Sequence, residues 1–131
     1  MQRLLLLCSA VNGFLAVVLG AFGAHGLQNA LRDVPDVARR LDWWETASHY
    51  HLGHAVALGV LALASDRVPR RWLARASLAM LVGVALFCGS LYIMALTGVT
   101  GLGVITPIGG LGFLAGWALF GIGALRSEPD R

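Results

Sequence analysis

LLLLCSAVNGFLAVVLGAFGA, residues 4–24, carries no charge and only three conspicuously small polar side chains, Cys8, Ser9 and Asn12. At about 1.5 Å of helix rise per residue, such a run reaches roughly 30 Å, the depth of a bilayer's hydrocarbon core. Three more runs of similar length follow, at residues 46–64, 76–97 and 107–125. Long apolar stretches with few charges read as spanning helices. The chain is therefore expected to be all-α, an integral membrane four-helix bundle forming a single domain.

Composition agrees. Of 131 residues, 57% are hydrophobic and 13% charged, against about a quarter charged in a typical soluble domain. A soluble bundle would need polar stripes on its helices, and runs 4–24 and 76–97 lack them. The formal charge is +3, all of its basic side chains being arginine. These arginines are scattered, with no basic helix face, so nucleic acid is not an expected partner. They do sort by loop. Arg3, Arg67, Arg70, Arg71, Arg75, Arg126 and Arg131 fall on the side of the termini, and Arg32, Arg39 and Arg40 on the other. The positive-inside bias then places both termini in the cytoplasm. The first run exceeds a usual signal-peptide core and is expected to be retained. Cys8 and Cys88 lie at depths too different for a disulfide and read as packing residues.

Small residues mark close helix contacts. Ala16, Gly20 and Ala24 recur every four residues on the first helix, and Gly112 and Gly116 do so on the fourth, the spacing that lets helices approach. Residues 26–44 form the longest polar segment. Gly26 can end the first helix, Asp33–Asp36 reads as a turn, and short surface helices on either side are plausible. Trp43, Trp44 and Trp72 are expected at the interfaces. Gly98 to Gly103 reads as a flexible loop without a phosphate-binding motif. Thr106-Pro107 reads as a helix start with a hydroxyl cap.

The second run is the polar one. On a helical wheel Thr46, Tyr50, Gly53, His54 and Ala57 share an arc, His51 lies beside it and His49 points away. Counting depth from each end puts Asn12 about 12 Å from the inner edge and His54 about 14 Å from the outer edge, so the two meet near mid-bilayer. Tyr50 and Tyr92 both fall roughly 7 Å from the outer edge, with His51 and Ser90 in the same half and His25 at the surface. The candidate polar cluster is thus Asn12, His25, Tyr50, His51, His54, Ser90 and Tyr92. Polar groups at such depths are costly and often functional.

Several jobs suit them. They could hydrogen-bond to one another and fix helix register. Two histidines on facing helices could ligate haem, His25 opposite His49 or His51. A His–Tyr pair could hold a quinone head, or a histidine relay protons. Residues 49, 51 and 54 do not share one face, so no metal site is expected, and no catalytic set is complete.

Taken together, Asn12-Gly-Phe-Leu-Ala-Val-Val-Leu-Gly-Ala-Phe-Gly-Ala-His25-Gly-Leu, Trp44-Glu-Thr-Ala, Tyr50-His51-Leu-Gly-His54-Ala, Phe87-Cys-Gly-Ser-Leu-Tyr92 and Ile105-Thr-Pro-Ile-Gly-Gly-Leu resemble one family. It is catalogued as domain of unknown function 423, small bacterial inner-membrane proteins related to the eukaryotic transmembrane protein 256. The resemblance covers nearly the whole chain. It implies four spanning helices and an uncleaved first one, with no established activity, substrate or cofactor. Its motif residues map onto Asn12, Gly13, Gly20, His25, Tyr50, His51, His54, Ser90, Thr106 and Pro107. The expected function is non-enzymatic, an accessory subunit or oligomer acting through helix contacts with itself or another membrane protein in the lipid bilayer. The alternative is a haem-, quinone- or proton-handling protein using the His/Tyr/Asn cluster.

Overall fold

A computed structural model describes residues 1–127. Arg131, counted above for topology, lies outside them. The described chain is all-helical with four long helices. The first runs Gln2–Ala30, the second Val37–Leu63, the third Arg70–Thr97 and the fourth Thr106–Leu125. The first, third and fourth are long and apolar enough to cross a membrane. The second has the length, at 27 residues. Its hydropathy is lowered by three histidines, Tyr50, Thr46 and Ser48 in its first turns and middle.

The helices are longer than their apolar runs. Gly26 does not end the first helix, which continues to Ala30, and the second begins at Val37 rather than Thr46. The expected surface helices in 26–44 are thus extensions of the two neighbours around a turn at residues 31–36. Polar side chains mark where the helix leaves hydrocarbon, not where it stops, because helical hydrogen bonds tolerate either solvent. Two interruptions are wide π-turns, Gly23–Leu27 and Val84–Cys88. The loop 98–105 is also more ordered than its glycines suggest. Gly98 takes a left-handed φ of 76° and closes the third helix by returning its N–H to the Met94 carbonyl at 2.8 Å. A 3-10 helix over Thr100–Val104 follows.

The first helix lies on the second, the second on the third, and the fourth on the third, the last pair joined by glycines. A Cβ at Gly112 would sit 3.0 Å from the Ala79 carbonyl oxygen, and one at Gly116 would sit 2.6 Å from Met80 Cγ. At Gly109 it would strike the Phe87 backbone, and at Gly123 the Trp72 side chain. On the first helix Ala16 is buried, but Gly20 faces open space and Ala24 is exposed. The close approach there is at Gly23, against the Trp44 indole.

The core is two dry clusters. One joins Leu27, Leu31, Trp44, Ala47, Val84, Cys88, Leu91, Tyr92, Ala95 and Phe113. The other joins Leu5, Ala57, Leu58, Leu61, Ala62, Val68, Leu73, Ala76 and Met80. On the second helix, His51 and His54 fall between them. The outward faces are apolar, as with Leu7, Phe14, Val17, Leu111 and Leu114, each more than 60% exposed. A surface of this kind suits hydrocarbon rather than water.

Candidate functional site

The buried seam of the second helix runs through Trp44, Ala47, His51, His54, Ala55, Ala57, Leu58, Leu61 and Ala62. Of the arc expected from the sequence, His54 and Ala57 lie on it, whereas Thr46 is half-buried and Tyr50 and Gly53 are exposed. The seam steps by three and four residues, as a helix packed on neighbours requires.

His51 and His54 face different partners along it. His54 Nδ1 lies 2.8 Å from the Tyr50 backbone carbonyl, one turn back. A carbonyl can only accept, so Nδ1 carries the proton. The indole N–H of Trp117, on the fourth helix, points at His54 Nε2 at 3.3 Å. An indole nitrogen only donates, so Nε2 presents its lone pair. The ring is also stacked on Phe113, with centroids 3.6 Å apart and planes 15° from parallel. Both nitrogens and one face of His54 are thereby engaged.

His51 is held by the first and third helices. The Asn12 amide nitrogen donates to the Cys8 carbonyl at 2.8 Å. That turns Oδ1 toward His51 Nε2, 3.3 Å away. Nε2 then donates, leaving Nδ1 to accept from the Tyr92 hydroxyl at 3.4 Å. The same hydroxyl lies 3.5 Å from Ser48 Oγ. These contacts are longer than the usual ~2.7–3.0 Å, so the network is slack. Asn12 meets His51, a neighbour of the His54 whose counted depth matched its own.

The remaining candidates separate. Ser90 Oγ meets Thr106 Oγ1 at 2.7 Å and the Phe87 carbonyl at 3.0 Å, tying the third helix to the start of the fourth. The Thr106 hydroxyl makes no cap of its own helix. Tyr50 is half exposed and packs by its ring on Phe87, centroids 4.7 Å apart. His25 is exposed on the first π-turn. Among the described residues, no three of His, Cys, Asp and Glu converge as a metal site, and both cysteines are free.

Four contributors escaped the sequence reading. Trp117 carries the only link from the fourth helix to a histidine among the described hydrogen bonds. Counting about 1.5 Å per residue from Thr106 would have put it near the level of His54. Ser48 extends the Tyr92 contact. Ser9 Oγ donates to the Ala55 carbonyl at 2.8 Å, under Gly59. Trp44, expected in an interfacial belt, is 4% exposed and gives its N–H to the Leu19 carbonyl at 2.8 Å, beside the π-turn. Trp43, its neighbour, is half-buried, with the Arg39 guanidinium over its ring at 5.1 Å.

A cavity of about 330 Å³ opens beside this layer, walled by Gly20, Gly23, Ala24 and Gln28 of the first helix and by Leu41, Trp44, Glu45, Ser48 and His49 of the second. Gly20 and Ala24 line space here rather than a contact. Ser48 belongs both to this wall and, through its 3.5 Å contact with the Tyr92 hydroxyl, to the Tyr92–His51–Asn12 chain. The cavity's size is that of a small-ligand pocket, and Ser48, Glu45, His49 and Gln28 are the side chains that could meet a polar head group.

A family described as a protein of unknown function (DUF423) matches residues 19–110. The UPF0382 membrane protein YwdK of Bacillus subtilis (strain 168) is 38% identical over 126 residues, covering 95% of this chain and 98% of its own. The UPF0382 inner membrane protein YgdD of Escherichia coli (strain K12) is 40% identical over 125 residues, covering 95% and 92%. The UPF0382 membrane protein SSP2132 of Staphylococcus saprophyticus is 36% identical over 130 residues. No solved structure matches the chain.

Proposed function

From the premise that this chain belongs to the DUF423 family, as a protein of the bacterial inner membrane, we propose that it is a non-catalytic component, a four-helix transmembrane bundle with both termini in the cytoplasm. It acts through helix contacts, as an accessory subunit or small oligomer. The observation that carries this reading is the engagement of every ring nitrogen on the two buried histidines. His54 is held by Tyr50 and Trp117, and His51 by Asn12 and Tyr92. To ligate haem either ring would have to give up one of these bonds and leave a donor or acceptor unpaired in hydrocarbon, which is costly. The three of these bonds that cross between helices, from Trp117, Asn12 and Tyr92, fix register, such bonds being worth about 0.6 kcal/mol each on average. Native mass spectrometry from a mild detergent should show the chain with a partner or with further copies. A lone, partner-free monomer at every detergent tested contradicts the proposal.

A second reading, quinone or proton handling, has one observation of its own, the run Ser48–Tyr92–His51–Asn12 leading inward from the cavity. Among the described residues the run stops where Asn12 turns its amide to Cys8. An absorption spectrum and a lipid extract of the same preparation separate the two. A Soret band or bound quinone lost in His51→Ala supports the second reading, and a colourless, quinone-free sample removes its support.

A further inference from the structure

Trp72 stands on the first turn of the third helix, packed against Gly123 near the end of the fourth. Three guanidinium groups surround its ring. Arg126 Cζ lies 5.2 Å from the indole centroid, and Arg71 and Arg75 Cζ each lie 5.9 Å away. All three arginines are exposed. The two ion pairs among the described residues both belong to Asp36, at the other end of the molecule. None of the three arginines therefore has a carboxylate partner among the described residues. The first turn of the third helix adds Arg70, with no acidic residue and no side-chain cap; Arg126 in turn caps the C-terminal end of the fourth helix, whose negative dipole end offsets the positive end of the third. Finally, Trp72 Nε1 is buried with no hydrogen-bond partner, although an indole N–H in that setting ordinarily finds an acceptor.

Three exposed cations gathered on one indole, with no carboxylate beside them among the described residues, call for an anionic group. We infer that Arg71, Arg75 and Arg126 around Trp72 form a site for the phosphate head group of an anionic phospholipid. The apolar surface beneath them selects lipid over free phosphate. Leu78 continues the stripe of Arg71 and Arg75 a turn deeper and is 63% exposed. Ile122 lies one turn below Arg126 and is 39% exposed, with Leu125 beside it at 88%. Acyl chains entering between these side chains keep the head group at the level of the guanidinium groups. Guanidinium suits this role because its planar fork meets phosphate with two hydrogen bonds.

The inference is independent of the proposed function and of which leaflet the termini occupy. It is tested with the full chain in nanodiscs, comparing phosphatidylglycerol with phosphatidylcholine by native mass spectrometry of retained lipid and by tryptophan fluorescence. The wild type should retain phosphatidylglycerol preferentially. Each basic residue near an anionic surface is worth about a fivefold preference, so Arg71→Gln/Arg75→Gln/Arg126→Gln together should lose roughly a hundredfold. Arg75→Gln alone should lose about fivefold and guards against misfolding of the triple variant. Arg32→Gln, at the opposite end, should change nothing. An undiminished preference in the triple variant overturns the site. So does an equal loss in Arg32→Gln, which would assign the effect to net charge, and so does displacement of the lipid by inorganic phosphate alone.

Discussion

At the residue scale, the two buried histidines differ in what fixes them. His54 is held by bonds whose polarity allows one arrangement, since a backbone carbonyl lies on one nitrogen and an indole N–H on the other. His51 is held by side chains, an amide and a phenol, that can reorient. Removing the indole donor should therefore be felt. Trp117→Phe keeps the ring that packs on Phe120 but strands His54 Nε2, and we expect a loss of about 1 kcal/mol in unfolding from detergent, read by circular dichroism. An unchanged unfolding curve would mean that the 3.3 Å contact contributes nothing. The sequence showed that histidines were buried, because their level could be counted, but not which partner each would find. Tyr50 illustrates why. It shares a period with His54, yet its ring turns outward onto Phe87, a choice made by the neighbouring helix.

At the element scale, the third and fourth helices are locked by a row of glycines, and the first and second by Ala16, by Gly23 against Trp44 and by Gly59 against Ser9. Gly112 and Gly116 were legible as a four-residue repeat, whereas Gly109, Gly116 and Gly123 form a seven-residue repeat on the same face that the sequence reading passed over. Gly109→Ala should overpack the second π-turn at Phe87 and cost on the order of 1–3 kcal/mol. Gly20→Ala, with open space before it, should stay within about 0.5 kcal/mol. Thermal unfolding of the two variants checks the contrast, and equal losses would contradict it. The connection between the first two helices carries its own clasp. Asp36 accepts hydrogen bonds from Arg39 and Arg40 at 2.8 and 2.9 Å, and Arg40 reaches across to the Leu96 carbonyl at 3.4 Å. The Arg39 hydrogen bond, helped by the Arg40 charge and opposed by partial desolvation, holds the Asp36 carboxyl below its ordinary 3.8. A depressed carboxyl stabilises the fold above its unfolded pKa and ceases to as the pH falls through the folded value. The clasp should thus be intact at neutral pH and release only in strongly acid solution. A spin-label distance between residues 38 and 99 would lengthen there, and in Asp36→Asn at any pH. A distance constant in both cases would show that the clasp does not hold the loop. The π-turns had no sequence signal, because widening a turn depends on what leans against it, Trp44 on Gly23 and Gly109 on Phe87.

At the scale of the whole molecule, the number of helices and their membrane character followed from run length and composition, since hydrocarbon thickness sets both. Helix ends did not, because polar extensions such as residues 37–45 stay helical beyond the apolar run. The contacts of Gly123 with Trp72 and Val68 bring the fourth helix's end to the turn between the second and third. This suits the arrangement proposed from the arginine bias. A fluorescent reporter fused at the C-terminus should glow, and a phosphatase fused at Gly101 should be active outside, whereas the reverse pattern would invert the topology. The packed unit divides into two dry layers with the histidines between them, and the proposed role as a contact-making component rests on that middle layer being a closed hydrogen-bonded clasp. Nitrogen-15 NMR of histidine-labelled protein in bilayers tests it most directly. The account predicts His54 with its proton on Nδ1 and a hydrogen-bonded lone pair on Nε2. A proton on Nε2, or a metal-coordinated nitrogen on either His51 or His54, would contradict it.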